Sequence, residues 1–418
     1  MKSILILSCA LLGLGNTAQA ESMGLSYLGQ QIVESGRVYA GTTVGGLSGL
    51  DYNAATGRYL AISDDRSAIN PARFYELSLD LAKFQRSATP GNAGVSFSAV
   101  TTILNSDGTA FGASKVDPES LRLDATRDRI YWTNEGQRAA AGLQDPTVRS
   151  MNLDGSYVGS FAVPDRFKPA GSVAGNQAGD RGIVNNLAFE CLALSQDGQT
   201  LWTATENALV QDGPAATTAN GSNSRLLSFD LNSGQAGAEY VYQVAPVVLP
   251  PIPGQFATNG LTDFIAIGDR QFITIERSFG VGAATPGVAA TTNGLPTGNT
   301  IRLFYADARQ ATDVSGLESL KGQSFTAMTK ELLLDLSTLK NDDGSVLALD
   351  NIEGITLGPV VDGKQTLMLV SDNNFGGNQF TQFIALSISA PVPEPQSYAL
   401  MLAGLGLLGA ALRSRRKG

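Results

Sequence analysis

The stretch FECLALSQDGQTLWTATE, residues 189–206, holds the pattern that decides the fold. An acid, Glu190, enters a strand-length apolar run, a polar turn containing Gly198 follows, and a second apolar run ends on Glu206. Two such runs around a short polar turn form a β-hairpin. The pattern recurs on both sides of this stretch. It runs from Leu47-Ser48-Gly49-Leu50-Asp51 to Ser63-Asp64, from Pro118-Glu119-Ser120-Leu121 to Asn134-Glu135, from Thr262-Asp263-Phe264-Ile265 to Ile275-Glu276, and from Ile352-Glu353-Gly354-Ile355 to Ser371-Asp372. Taking 48, 119, 190, 263 and 353 as the starts, successive units are 71, 71, 73 and 90 residues apart. The distance from start to closing acid is 16, 16, 16, 13 and 19 residues. The two departures follow the turn, which is short at Gly268-Asp269-Arg270 and long at Gly358–Lys364. A hairpin with a variable tip has that property.

Each unit continues with a third strand: Arg73–Leu79, Arg149–Leu153, Arg225–Leu231, Ile301–Tyr305 and Phe380–Ile388. A fourth follows in most, as in Val95–Leu104, Tyr157–Val163 and Ala238–Val244. Four antiparallel strands repeated radially make a β-propeller, so the chain is expected to be all-β with five blades. The last unit lacks its fourth strand, and Gly24–Val33 is expected to supply it and close the ring. A sixth blade stays open for residues 308–349, as does a pair of unrelated β-sandwiches.

Composition limits the chemistry. Among 418 residues, 43% are hydrophobic, enough for a large core, and 47 are glycine, which suits many turns. There is no histidine. A Ser-His-Asp triad, a histidine general acid or a His-ligated zinc site is therefore excluded, leaving carboxylates, Lys/Arg, hydroxyls or an oxygen-bound metal.

The two ends read as targeting segments. Residues 1–20 have Lys2, an apolar run Ile4–Leu14 and a small-x-small site at Ala18-Gln19-Ala20, as in a secretory signal peptide. Its removal leaves Cys191 as the only cysteine, so no internal disulfide can form. At the other end, Val392-Pro393-Glu394-Pro395 precedes a short apolar stretch, Tyr398–Leu412, and then Arg413, Arg415, Arg416 and Lys417. The 15 apolar residues are fewer than a stable membrane span usually has. The basic cluster favours the cytoplasmic side. This order of parts resembles the PEP-CTERM sorting signal, expected here over 391–418. The resemblance implies a transient inner-membrane anchor, processing by an exosortase-type enzyme, and release to the cell surface or extracellular matrix. The core of residues 21–390 keeps 24 Lys+Arg against 37 Asp+Glu, a net charge of −13. So acidic a core argues against nucleic acid and anionic membranes as partners, and for cations.

In a hairpin the start of one strand lies beside the end of the next. The acids are therefore expected in pairs, Glu119/Glu135, Glu190/Glu206, Asp263/Glu276 and Glu353/Asp372, with Asp64 and Asp65 serving the first unit. Radial repetition gathers them at one channel mouth, where they repel unless cations or Arg66, Arg138 and Arg277 compensate. Oxygen-rich clusters suit Ca²⁺ or Mg²⁺, and Ca²⁺ tolerates irregular ligand sets better. The alternative is structural: such acids accept hydrogen bonds from turn amides or pair with those arginines.

The motifs Gly49-Leu50-Asp51, Ile62-Ser63-Asp64-Asp65, Pro118-Glu119-Ser120, Trp132-Thr133-Asn134-Glu135, Asn185-Asn186-Leu187-Ala188-Phe189-Glu190 and Asn351-Ile352-Glu353-Gly354 resemble the phytase-like family, also called esterase-like activity of phytase. The similarity covers about residues 45–388 and implies phosphoester hydrolysis. On that expectation Asp64, Glu119, Glu190, Asp263 and Glu353 are metal ligands. Glu135, Glu206, Glu276 and Asp372 are further ligands or general bases, and Arg66, Arg138 and Arg277 bind phosphate. A non-catalytic propeller that binds an extracellular polysaccharide or a partner protein is the other expectation.

Overall fold

The computed structural model describes residues 23–287 and 294–389. The expected signal peptide and the stretch Tyr398–Leu412 lie outside them. Five four-stranded antiparallel sheets follow one another along the chain, and they are the blades of a β-propeller. Blade 1 is built from Leu47–Asn53, Arg58–Ser63, Arg73–Leu79 and Val95–Thr102. Blade 2 uses Pro118–Asp124, Arg129–Asn134, Thr147–Met151 and Tyr157–Ser160, and blade 3 uses Phe189–Leu194, Thr200–Thr205, Ser222–Asp230 and Ala236–Val244. Blade 4 comprises Ala257–Gly268, Gln271–Gly280, Asn299–Asp307 and Thr329–Asp335. Blade 5 comprises Asn351–Val361, Lys364–Asp372, Phe380–Ser389 and the N-terminal Gly24–Glu34.

The N-terminal strand sits on the outer edge of blade 5, beside Phe380–Ser389. The ring is therefore closed by the two ends of the core, as the missing fourth strand required. Residues 308–349 form no sixth blade. They supply the outer strand of blade 4, and the segment before it lies on blade 3, where Val314 N donates to Glu239 O and Met328 N to Val241 O. Buried Arg225 holds that segment, donating to Asp212, to Glu239 Oε2 (2.9 Å) and to Leu317 O (2.9 Å).

Packing follows from strand periodicity. Alternate residues point to opposite faces, and each blade face meets the next blade, so both faces are apolar. Ile62 and Phe74 of blade 1 pack with Leu121, Ile130 and Trp132 of blade 2. Tyr131 and Val148 of blade 2 pack with Leu192, Leu201 and Phe229 of blade 3. Cys191 and Trp202 join Phe264 and Phe272 across the next interface, and Val33, Met368 and Phe383 meet Leu50, Tyr59 and Tyr75 where the ring closes. Each such side chain, taken fully out of water, contributes about 1.5–3 kcal/mol.

The axis is pinned by one ion pair. Arg122 is 3% exposed and Asp263 0%. Arg122 Nη2 donates to both Asp263 oxygens at 2.9 and 3.0 Å and to the carbonyls of Phe264 and Ile355; its Nη1 reaches Leu50 O and Leu121 O. Asp263 also accepts from Leu192 N (3.4 Å) and Ile355 N (3.0 Å). The first strands of all five blades therefore meet at this pair.

Candidate functional site

Each first strand carries a β-bulge, near its start in blades 1, 2, 3 and 5 and further along in blade 4. The pairing of first and second strands skips Ser48 in blade 1, Glu119 and Ser120 in blade 2, Glu190 in blade 3, Thr262 in blade 4 and Glu353 in blade 5. A bulge re-aims the extra residue out of the regular alternation. Repeated around the axis, it makes one ring of Ser48, Glu119, Glu190, Thr262 and Glu353. A second ring comes from the residue after the facing position on each second strand. The partners of the pre-bulge residues are Ser63, Asn134, Thr205, Glu276 and Ser371, so this ring is Asp64, Glu135, Glu206, Arg277 and Asp372.

Blade 4 corrects the expected positions. Asp263 lies one residue past the bulge and Glu276 one residue before the ring. With a period of two, a one-residue slip turns a side chain to the other face. Asp263 accordingly faces Arg122 on the axis. Glu276 points between blades 3 and 4, where it accepts from Tyr242 Oη (3.0 Å), Asn259 Nδ2 (3.0 Å) and Ala245 N (3.1 Å) and pairs with Lys330. Arg277 takes the ring position instead, 3.0 Å from Glu353 Oε1 and 3.4 Å from Glu206 Oε1.

Asp64, Glu119, Glu190, Glu353, Asp372, Arg66 and Arg277 line one cavity of about 970 Å³. Glu135 and Glu206 lie beneath them, 2% and 1% exposed. The pairs Glu119/Glu135, Glu190/Glu206 and Glu353/Asp372 are thus brought together, and Asn351 Nδ2 bridges the last at 2.9 and 3.2 Å. Arg66 Nε is 3.2 Å from Asp117. Arg138 lies outside the cavity, donating to the carbonyls of Arg181 (2.7 Å) and Ala170 (2.9 Å). Asp65 is also turned away, accepting from Ala68, Ile69 and Asn70 amides and pairing with Arg73 at 2.7 Å.

Asp117 is the residue that the repeat does not reveal. It stands two places before the bulge, where blades 1, 3 and 4 have Gly46, Ala188 and Gly260. Asp117, Glu119 and Glu135 are all buried, and one carboxylate oxygen from each lies within 4.8 Å of the others. Ca²⁺ binds oxygens at about 2.3–2.6 Å, so three oxygens around one ion are separated by up to about 5 Å. The triad fits a calcium ion. Asp64 Oδ1, which lines the same cavity, is buried without a hydrogen-bond donor.

Electrostatics follow from burial. Desolvation first, then neighbouring carboxylates, push Asp64, Asp117, Glu119, Glu190 and Asp372 well above the usual acid range. Burial raises Glu135 and Glu206 to about 7, although Arg277 pulls Glu206 down and the Ala188 amide pulls Glu135 down. For Arg277 burial alone favours the neutral form, but Glu206, Glu353, Glu190 and Asp372 outweigh it and keep the guanidinium charged.

The family model described as "Phytase-like: Esterase-like activity of phytase" matches residues 42–375. The chain belongs to the phytase-like family. A PEP-CTERM protein-sorting motif matches residues 391–417. This phytase-like protein therefore carries a signal for export and membrane-associated sorting, which implies processing by an exosortase-type enzyme. Among the described residues no helix is long and apolar enough to cross a membrane. No curated protein matches the chain. Solved structures that resemble it include a protein of unknown function from Dyadobacter fermentans, with 12% identity and a TM-score of 0.40, covering 88% of this chain and 100% of that one. An N-acetylgalactosamine deacetylase from F. plautii, in complex with blood group B trisaccharide, has 11% identity and a TM-score of 0.37 over 88% and 89% of the two chains. The Dos1 propeller has 10% identity and a TM-score of 0.33 over 84% and 69%.

Two expected results arise at this phytase-like site. The first concerns pH. Glu135 and Glu206 hold their protons up to about 7 when folded, but ionise near their ordinary 4.5 when unfolded. Between these values the folded state binds more protons, so stability falls as pH rises through that window. In chelator, the protein should melt at a higher temperature at pH 5 than at pH 8, and Glu206→Gln should flatten the difference. A melting profile rising from pH 5 to pH 8 contradicts this. The second concerns Gly260, where an added Cβ would lie 1.9 Å from Glu206 Oε1 and 2.2 Å from its Cγ. Gly260→Ala should cost about 1–3 kcal/mol through overpacking. Chemical denaturation showing no loss would mean that Glu206 has room to move.

Proposed function

We propose that this phytase-like protein is an exported, divalent-metal-assisted phosphoester hydrolase acting in the cavity at the bulge ring. The supporting observation is the triad Asp117, Glu119 and Glu135: three buried carboxylates close enough to share one cation, at the floor of a cavity that also presents Arg66 and Arg277. A bound divalent cation, best matched by Ca²⁺, supplies Lewis acidity to a phosphoryl oxygen and lowers the pKa of a water. Arg277 binds a phosphoryl oxygen from its place between Glu206 and Glu353, and Arg66 offers a second cationic contact from the rim. Burial first, then Glu135 and Glu206, push the Glu190 carboxyl well above its usual range, which favours the proton that it would give to a leaving oxygen. Glu353 and Asp372 orient the site through Asn351 and Arg277, and Asp64 adds a further oxygen at the rim. With Arg122 as its partner, Asp263 is assigned to the axis, Glu276 to the contact between blades 3 and 4, and Arg138 to the carbonyls of Ala170 and Arg181.

The test is turnover of 4-nitrophenyl phosphate and bis(4-nitrophenyl) phosphate by purified protein in Ca²⁺, Mg²⁺, Mn²⁺ and chelator. Hydrolysis that appears with a divalent cation and disappears in chelator is expected. Absence of turnover in every metal, with normal folding, overturns the hydrolase and leaves the non-catalytic surface module.

A further inference from the structure

One wall of the cavity is apolar, and it is built from the strand that carries Arg277. In the strand Gln271–Gly280, residues two apart share a face, so Phe279 stands beside Arg277 one step nearer the mouth. Beyond the strand, Val281 N donates to Phe256 O at 3.0 Å and Ile252 N to Val281 O at 2.9 Å. Phe256 covers Phe279 with ring centroids 6.3 Å apart. Ile252, Phe279 and Val281 all line the cavity, and Ile252 remains 53% exposed and Phe256 62%. Gly282 leaves space for the Ile252 side chain, since a Cβ there would lie 2.3 Å from Ile252 Cδ1. Backbone pairing thus holds an apolar shelf in place above the acidic floor.

The charge on the opposite wall restricts what can lie there. The cavity is lined by seven carboxyl groups and two guanidinium groups, and both guanidinium groups already have carboxylate partners. One dication at the triad leaves no cationic surplus for a second or third phosphate. A polyphosphorylated polyol would therefore meet repulsion at each added group, while an ester with one phosphoryl group and an apolar substituent meets both walls favourably.

We infer that the site selects phosphoesters of an aryl or alkyl alcohol bearing a single phosphoryl group, with the apolar part on the Ile252–Phe279–Val281 shelf, and disfavours polyphosphorylated polyols. This rests on the proposed hydrolase site and names its substrate class. The experiment is calorimetric binding of phenylphosphonate, methylphosphonate and inositol hexakisphosphate to the Ca²⁺-loaded full protein. Phenylphosphonate is expected to bind about tenfold more tightly than methylphosphonate, as partial burial of a ring on an apolar wall gives. Ile252→Ser should reduce that ratio several-fold, and Val281→Ser is the second variant should the first not fold. Inositol hexakisphosphate should bind more weakly than phenylphosphonate. Equal affinities for the two phosphonates, or tighter binding of the hexakisphosphate, overturn the inference and leave the phosphoester site standing. If neither phosphonate binds, the proposed function fails and the inference with it.

Discussion

Glu119→Gln is expected to remove the stabilisation that Ca²⁺ gives the wild type and to lower metal-dependent hydrolysis by at least about 100-fold, since changes even outside the ligand shell of a metal site cost 10–100-fold. The wild type should gain about 3 kcal/mol at a hundredfold excess of Ca²⁺ over its dissociation constant. In a chain of this size that corresponds to a melting shift on the order of 4 °C. The variant keeps the side-chain volume and removes one charge from the triad with Asp117 and Glu135. Its behaviour in chelator carries the decisive sign. Glu119 is pushed up by burial and by Glu190, Asp117, Asp64 and Glu135, so its ionised form is a liability without a cation. The metal-free variant should therefore melt at or above the metal-free wild type at pH 8, while the Ca²⁺-loaded order is reversed. If Glu119 serves the fold instead, the variant will be destabilised in chelator too, and Ca²⁺ will shift neither protein.

The second large effect belongs to the axis. Arg122→Met should destabilise the protein by about 3–5 kcal/mol, because Asp263 is then left as a buried carboxylate without its cation. The guanidinium also satisfies carbonyls of Leu50, Leu121, Phe264 and Ile355, drawn from blades 1, 2, 4 and 5. Those acceptors lose their donor together with the charge. The double variant Arg122→Met/Asp263→Leu should recover part of the loss, since replacing a buried pair by apolar side chains of similar volume is often neutral. Thermal unfolding of the two variants decides it. A single variant that melts with the wild type, or a double variant less stable than the single, contradicts a pinning role.

The repeat itself was legible. Alternation and turn residues defined five hairpins, and the hairpin tips explained their unequal lengths. The deficit of one strand after Phe380–Ile388 pointed to Gly24–Val33 as the closing strand, because an open edge in a ring of blades has to be paired. The residues that form the acidic rings in blades 1, 2, 3 and 5 were legible for the same reason: the bulge falls at one point of the repeat, and the closing acid sits 16 or 19 residues after it.

What the amino-acid sequence by itself determined was thus the all-β class, the five repeated hairpins, the closing strand and the absence of histidine chemistry. Only the tertiary structure decided the polarity of blade 4 and the composition of the site. Phe264-Ile265 and Phe272-Ile273 read equally well in two registers, and a one-residue shift exchanges the axial and funnel faces. Packing settles this: Asp263 finds Arg122 on the axis, which places Thr262 and Arg277 in the rings and gives the acids a cation. Asp117 was illegible because it stands just ahead of the two positions that the repeat marks in each hairpin, and no other blade has an acid there. Glu353 and Asp64 illustrate the same limit from the two ends of the chain, as their mutual repulsion arises only once the ring has closed. Local sequence fixes strand and turn through backbone geometry, whereas a site assembled across five blades depends on register and closure, which are properties of the whole ring.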